Sequence, residues 1–195
     1  MSALFSVPTR HWLSVEDYHR MADVGILAPD ARVELIRGEI IDMALIGTTH
    51  CGVVDFLTEK FIRTVGDAAI VRVQGAIVLN VFSELQPDLV LLKRQDDFYV
   101  RGETHPLGSE VFIVVEVAVS SEHYDREVKV PLYAEYGVPA VLLIVPEQGL
   151  YQYYSNLADG MYETCDVLTD LEAVPMGALK GLTIDLSWLQ DQSFK

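Results

Sequence analysis

The sequence contains only two cysteines, and this shortage excludes a disulfide-rich secreted scaffold. Cys51 and Cys165 are far apart, and no CxxC pair or neighbouring histidine pattern accompanies them, which also excludes a typical cysteine zinc site. A single disulfide between them is one interpretation. Two reduced thiols are the favoured one, because no secretion signal is found, and we therefore expect a cytoplasmic protein.

Long apolar segments are also absent. No apolar run approaches the roughly 18–20 residues that a membrane-spanning helix needs. Residues 1–8 contain no basic region followed by an apolar stretch, so we expect no signal peptide. The sequence therefore predicts no contact with a membrane.

Basic residues are few. Lysine and arginine total 14 against 29 acidic residues, which gives a net charge of −15. A nonspecific DNA-binding protein normally presents a basic face, because neutralisation of phosphates supplies most of its affinity. Binding to DNA would therefore need a small patch, bound cations or a partner chain. The basic residues that could form such a patch are Lys60, Arg63, Arg72, Lys93, Arg94 and Arg101.

Hydrophobic residues, by contrast, make up 50% of the 195 positions, enough for a substantial core, and we expect one domain over residues 1–195. Ser14 and Asp17 form a capping-box pattern before a helix that ends near Gly25. Further helices are predicted over 49–65 and 122–136, with Pro131 kinking the last or opening a new turn. Strands are predicted over 32–36, 39–43, 69–73, 76–80, 88–92, 111–117, 140–145, 151–154 and 161–168, with an edge strand over 182–184.

This order of elements predicts an α/β fold. A mixed β-sheet is flanked by helices, an N-terminal helix and hairpin precede it, and antiparallel strands follow it. The final hairpin is predicted from the turn chemistry of residues 156–160.

One carboxylate stands out in this pattern. Glu116 lies inside Val111–Val117, whose other six residues are apolar and typical of a buried central strand. A buried carboxylate is costly unless it is protonated, paired or bound to a cation. Asp88 follows Pro87 at the start of a second apolar strand, a position that tolerates proline. Two carboxylates entering a core from two strands suggest a divalent metal site.

Two further residues complete the candidate site. Glu34 lies in the first hairpin, and Lys129 lies on the helix that follows the Glu116 strand. Carboxylate oxygens suit Mg²⁺ or Mn²⁺, which lower the pKa of a bound water and stabilise charge during phosphoryl transfer. Lys129 shares a helix face with Asp125 and could orient the attacking water.

An ordered series of motifs resembles the PD-(D/E)xK nuclease superfamily and, more narrowly, the putative restriction endonuclease family of bacterial proteins. The resemblance covers about residues 10–150. Its motifs are residues 33–41, His50, Gln74, 86–89, 115–118, 124–129 and 133–139.

The resemblance implies a metal-dependent deoxyribonuclease of restriction-endonuclease-like fold, with DNA as substrate and Mg²⁺ or Mn²⁺ as cofactor. Asp88, Glu116 and the carbonyl of Val117 would bind the metal. At the position where the superfamily usually has lysine, this sequence has Ala118. The resemblance then assigns the role of the positively charged side chain to Lys129. The catalytic set is then Glu34, Asp88, Glu116 and Lys129, with possible support from His50 and Gln74. Many such nucleases are homodimers, and residues 151–168 could supply an interface.

Other interpretations remain open at this point. Lys129 could simply pair with Asp125 along its helix, and Glu116 could be a paired structural carboxylate. Ala118 and the net charge of −15 are compatible with a catalytically inactive nuclease-fold protein that acts as a protein-interaction module. A metal-dependent hydrolase of small phosphoesters is the third hypothesis. The remaining histidines fit no ligand pattern and are interpreted as surface residues; they are His11, His19, His105 and His123.

Overall fold

The computed structural model describes residues 9–194, and the segment on which the signal-peptide prediction depends lies outside this range. The helices are α1 (Val15–Asp23), α2 (Thr48–Val65), α3 (Glu122–Tyr124) and α4 (Val130–Glu135). The strands are β1 (Val33–Ile36), β2 (Glu39–Asp42), β3 (Ala69–Val73), β4 (Ile77–Asn80), β5 (Ser83–Leu85), β6 (Leu89–Lys93), β7 (Val111–Val117), β8 (Val141–Val145), β9 (Leu150–Ala158), β10 (Met161–Val167), β11 (Val174–Pro175) and β12 (Thr183–Ile184). Within residues 9–194, no helix combines the length and apolar character that crossing a bilayer requires.

A six-stranded mixed sheet forms the centre of the molecule, with strand order β10-β9-β8-β7-β6-β3. Only β7 and β8 pair in parallel, and the helical segment between them makes the crossover. Both strands are apolar on each face because the sheet is covered on both sides. Helix α2 and the C-terminal segment cover one face, and α4 and the smaller sheet cover the other. The predicted mixed α/β architecture is confirmed.

A separate four-stranded sheet, in the order β2-β1-β5-β4, contains the N-terminal hairpin. Sequence analysis predicted this hairpin and a strand at β4, but it predicted one mixed sheet and not two, and it did not predict β5. Strand β5 has only three residues, and two of them are polar, so neither hydrophobic periodicity nor length marks it. It nevertheless pairs with both β1 and β4.

The N-terminal helix has the predicted capping box. The Ser14 hydroxyl oxygen accepts a hydrogen bond from the Asp17 backbone N–H, and Asp17 accepts one from the Ser14 backbone N–H. This reciprocal pairing satisfies donors at the start of α1, where the helix itself offers no acceptors. The backbone of Val15 also donates to Val81 O, which ties the helix to the smaller sheet.

The predicted helix over 122–136 is interrupted by a π-helical turn, Asp125–Lys129, between α3 and α4. Pro131 lies in the first turn of α4 and has no N–H for the ordinary helical hydrogen bond. The Val130 N–H donates instead to Asp125 O, the wider pattern of a π turn. The expected disturbance at Pro131 is therefore an expanded turn on its N-terminal side.

The C-terminal region differs from prediction in two respects. The β9–β10 hairpin turns at Asp159 and Gly160, both with positive φ, so the loop is tighter than residues 156–160. Strand β12 pairs with β11 in a two-stranded sheet and does not extend the central sheet as an edge strand. The central sheet already ends at β10, whose side chains are mostly exposed.

Candidate functional site

A pocket of about 530 Å³ opens where β6 begins and β7 ends. The smaller sheet, the start of α2 and the π-helical turn form its walls. The sequence-predicted residues Glu34, His50, Asp88, Glu116, Val117 and Lys129 all line it, and Asp125 joins them. The structure therefore brings into one cavity residues that lie on five separate elements.

Asp88 is held in place through both carboxylate oxygens. The Val117 backbone N–H donates to Asp88 Oδ2 at 2.9 Å, and His50 Nε2 lies 2.9 Å from Asp88 Oδ1. Leu89 pairs with Val115 across the antiparallel β6–β7 ladder. One further step along this register places Asp88 opposite Glu116, and opposite residues project to the same face of a sheet. The two acids therefore face the same pocket.

Glu116 is 3% exposed, which is unusual for a carboxylate. Its Oε1 accepts a hydrogen bond from the Tyr133 hydroxyl at 2.6 Å and lies 2.9 Å from Lys129 Nζ. Burial raises the pKa of Glu116 to about 8; the nearby carboxylates add to this rise, and Lys129 opposes it. Burial therefore makes Glu116 easier to protonate than an ordinary carboxylate.

Glu34 lies on β1 and reaches the same amine. Its Oε1 accepts the backbone N–H of Gln86 at 2.7 Å and lies 3.2 Å from Lys129 Nζ. Glu34 and the two residues that follow it in β1 are all buried, so this carboxylate does not face solvent. Lys129 thus lies between Glu34 and Glu116.

Lys129 is buried among three acids, the third being Asp125 with Oδ1 at 3.9 Å. Burial lowers its pKa, but the charges of Glu116, Glu34 and Asp125 outweigh burial and raise the pKa well above the ordinary value. The side chain is therefore an ammonium ion at physiological pH. It can orient a water or offset negative charge, but it cannot accept a proton as a general base.

The carbonyl of Val117 is a suitable additional oxygen donor. In a strand the N–H and C=O of one residue point toward the same neighbour, and the Val117 N–H points to Asp88. Continuing the register places Pro87 opposite Val117, and proline has no N–H to offer this carbonyl. Val117 also lines the pocket.

The two residues expected to support the site, His50 and Gln74, lie in different positions relative to the pocket. Among the side-chain N and O atoms of residues 9–194, only His50 Nδ1 is both buried and without a hydrogen-bond partner. His50 lines the pocket, and the other nitrogen of its imidazole contacts Asp88. Gln74 does not line the pocket; its backbone N–H donates to Asp88 O and its carbonyl accepts from the Gln86 side chain.

Sequence analysis missed three contributors. Tyr133 holds Glu116, the Gln86 backbone holds Glu34, and Asp125 pairs with Lys129 while accepting from the Ser121 hydroxyl. Asp125 was considered only as an alternative partner for Lys129. The four-residue spacing of Ser121, Asp125, Lys129 and Tyr133 was the available signal.

The donor set fits a hard dication. Two carboxylates and a carbonyl supply oxygen ligands, and Mg²⁺ commonly binds one or two protein carboxylates and keeps several waters. If Glu34, Asp88, Glu116 and Asp125 were all ionised, the single ammonium of Lys129 beside them would leave a large negative excess in this part of the pocket. A divalent cation would offset this excess.

The chain belongs to the Uma2 family, described as putative restriction endonuclease, because the family model matches residues 15–187. It is also similar to the crystal structure, at 1.96 Å resolution, of a putative nuclease belonging to DUF820 from Anabaena variabilis. That likeness has a TM-score of 0.68 at 13% sequence identity and covers 92% of this chain and 98% of the other. No curated protein matches. The resemblance found in the sequence and the nuclease-like fold are therefore confirmed.

Proposed function

We propose that this protein is a Mg²⁺- or Mn²⁺-dependent endonuclease that hydrolyses phosphodiester bonds in DNA. The observation that carries this proposal is that Asp88 and Glu116 line one pocket, beside the buried ammonium of Lys129. Membership of a family described as putative restriction endonuclease supports the same reaction class.

Each residue has a defined task in this proposal. Asp88, Glu116 and the Val117 carbonyl would hold the ion, and Glu34 would fix Lys129. A bound Mg²⁺ or Mn²⁺ would activate water and stabilise negative charge on the phosphate. Lys129 would orient the water or neutralise developing charge. Tyr133 and His50 would position the two carboxylates through the contacts they already make.

A cleavage assay on supercoiled plasmid with Mn²⁺ tests this proposal. We expect the wild-type protein to nick or linearise plasmid and Asp88→Asn to lose at least about a hundredfold in rate, because an amide is a weak ligand. Asp55→Asn is the matched control, since Asp55 is an exposed acid on α2 outside the pocket. Equal cleavage by wild type and Asp88→Asn would attribute the activity to a contaminant and refute the proposal.

Two other outcomes identify the alternative functions. Absence of Mn²⁺ binding by calorimetry at millimolar metal would favour an inactive protein-interaction module. Cleavage of nucleotides or other small phosphoesters without cleavage of DNA would favour a small-molecule hydrolase. The surplus of acidic residues, which repels a polyanion, motivates this second comparison.

We also propose that the nuclease is a cytoplasmic homodimer. Free thiols at Cys51 and Cys165, both exposed, suit a reducing compartment. Two copies would supply the two centres that cutting both strands of a duplex needs. The β9–β10 hairpin is the candidate interface, because β10 is an edge strand of the central sheet. Sedimentation equilibrium measures the assembly, and a monomer at all accessible concentrations would refute it.

A further inference from the structure

A second group of metal-ligating side chains lies outside the pocket, at Glu84, His19 and His105. Each offers one ligand atom, and the three atoms lie within 4.8 Å of one another. None of the three residues lines the pocket described above. The histidines are separated by most of the N-terminal half of the chain, which explains why no ligand spacing is visible in the sequence.

Glu84 is the centre of this group. It lies on β5, between β1 and β4, and is only 6% exposed. Its two carboxylate oxygens lie 2.9 and 3.0 Å from His19 Nε2. A buried carboxylate is costly unless it is paired or bound to a cation, so a metal ion shared with this imidazole would stabilise Glu84.

The two histidines reach Glu84 from firmly anchored elements. His19 lies on α1, whose start is fixed by the capping box and by Val15. The loop bearing His105 is attached to β4, because Val78 donates to Pro106 O and pairs with Leu107. Val78 is in turn the cross-strand partner of Glu84. The imidazole rings of His19 and His105 meet edge to face, with centroids 6.1 Å apart.

We infer that His19, Glu84 and His105 form a binding site for a borderline transition-metal dication, with Zn²⁺ as its best ligand. Two imidazoles and one carboxylate are a common zinc ligand set, with water in the fourth position. Tetrahedral coordination with bonds of about 2.0–2.2 Å separates ligand atoms by roughly 3.3 Å. The His19–Glu84 separation is already close to this value, and rotation of the exposed His105 ring closes the remainder. Imidazole ligands favour Zn²⁺ over Mg²⁺, which the oxygen-lined pocket prefers.

A bound ion would join α1, β5 and the His105 loop. Strand β5 leads directly into Gln86, whose N–H holds Glu34. The site would therefore stabilise the smaller sheet on the side that supports the pocket, without contacting the reacting groups. This inference does not depend on the proposed nuclease function.

Zinc titration of the 195-residue protein tests the inference, with millimolar Mg²⁺ present to compete for the oxygen ligands of the acidic pocket. With a chromophoric zinc indicator as competitor, we expect one Zn²⁺ per chain. His105→Ala should weaken binding at least about tenfold, since it removes one of three ligands from an exposed position that tolerates alanine. His11→Ala, an exposed histidine outside the group, and Asp88→Asn should bind as wild type does.

Imidazole NMR supplies the second readout. Zinc should shift the ring nitrogens of two histidines, and the two signals should be those missing from His19→Gln and His105→Ala. The inference is overturned if the dissociation constant of the wild-type protein for Zn²⁺ is above about 100 μM, because three such ligands should bind zinc far more tightly. It is also overturned if His105→Ala binds as tightly as wild type, or if Asp88→Asn abolishes binding, which would place zinc in the acidic pocket.

Discussion

Lys129 Nζ lies 2.9 Å from Glu116 Oε1, although Glu116 is the penultimate residue of a buried strand and Lys129 ends the π-helical turn that follows. The usual motif places lysine two positions after the acid, where this chain has Ala118, directly after the end of β7. Ala118 is fully buried against Leu143 and Val145. The positive charge near Glu116 therefore comes from Lys129 on the helical segment, whereas Ala118 packs in the core.

Lys129→Met should abolish plasmid cleavage, with a loss of at least about a hundredfold, because it removes the ammonium that lies beside Glu116 and Glu34. It should also destabilise the metal-free protein by about 3–5 kcal/mol, since it leaves buried acids without their partner. Cleavage rate and urea unfolding measure the two effects. Lys180→Met, at an exposed position, is the control. Cleavage by Lys129→Met at the wild-type rate would show that the amine has no part in the mechanism.

Much of this architecture is predictable from local patterns. The capping box at Ser14 fixes where α1 begins, and the apolar run around Glu116 identifies a central strand with one anomalous acid. Spacing on one helix face similarly relates Asp125 to Lys129 and Tyr133. These are short-range signals, in which neighbours along the chain are neighbours in space.

Contacts between distant segments were not predictable in this way. Nothing local indicates that His50 would meet Asp88, or that His19 would meet Glu84, because both pairs depend on how separate elements pack. Strand β5 is too short and too polar to be recognised, yet it positions Gln86 and therefore Glu34. The division into two sheets depends on the same nonlocal pairing.

Glu116→Gln should remove a pH dependence of stability. In the folded protein the pKa of Glu116 is about 8, against an ordinary value of 4.5. Between these values the folded state binds more protons than the unfolded state, so its contribution makes stability fall as pH rises. The glutamine amide of the variant does not titrate, so it contributes no such pH dependence of stability.

In EDTA we therefore expect Glu116→Gln to be more stable than wild type at pH 8.5, by about 1–2 kcal/mol, and to lose this advantage at pH 5. Urea denaturation at the two pH values measures the difference. Glu103→Gln, an exposed acid, should behave as wild type at both. An advantage of equal size at pH 5 and pH 8.5 would contradict the assigned titration.

Tyr133→Phe should weaken Mn²⁺ binding about tenfold, because the hydroxyl holds a proposed ligand by donating to Glu116 Oε1. Calorimetry measures the affinity. Tyr151→Phe is the matched control, since that buried hydroxyl donates to Leu189 O away from the pocket. Comparable losses of affinity in both variants would indicate a general packing effect.

Metal binding should stabilise the folded protein, because the site forms only when β6, β7 and the π-helical turn are assembled. At a free Mn²⁺ concentration a hundredfold above the dissociation constant, the expected gain is about 2.7 kcal/mol, and EDTA should reverse it. The midpoint of thermal unfolding should rise by roughly 5–10 °C for a chain of this size. Asp88→Asn should show little of this rise, whereas Asp55→Asn should show all of it. A Mn²⁺-induced rise that persists in both Asp88→Asn and Glu116→Gln would place the ion elsewhere and remove the structural basis for a metal-dependent nuclease.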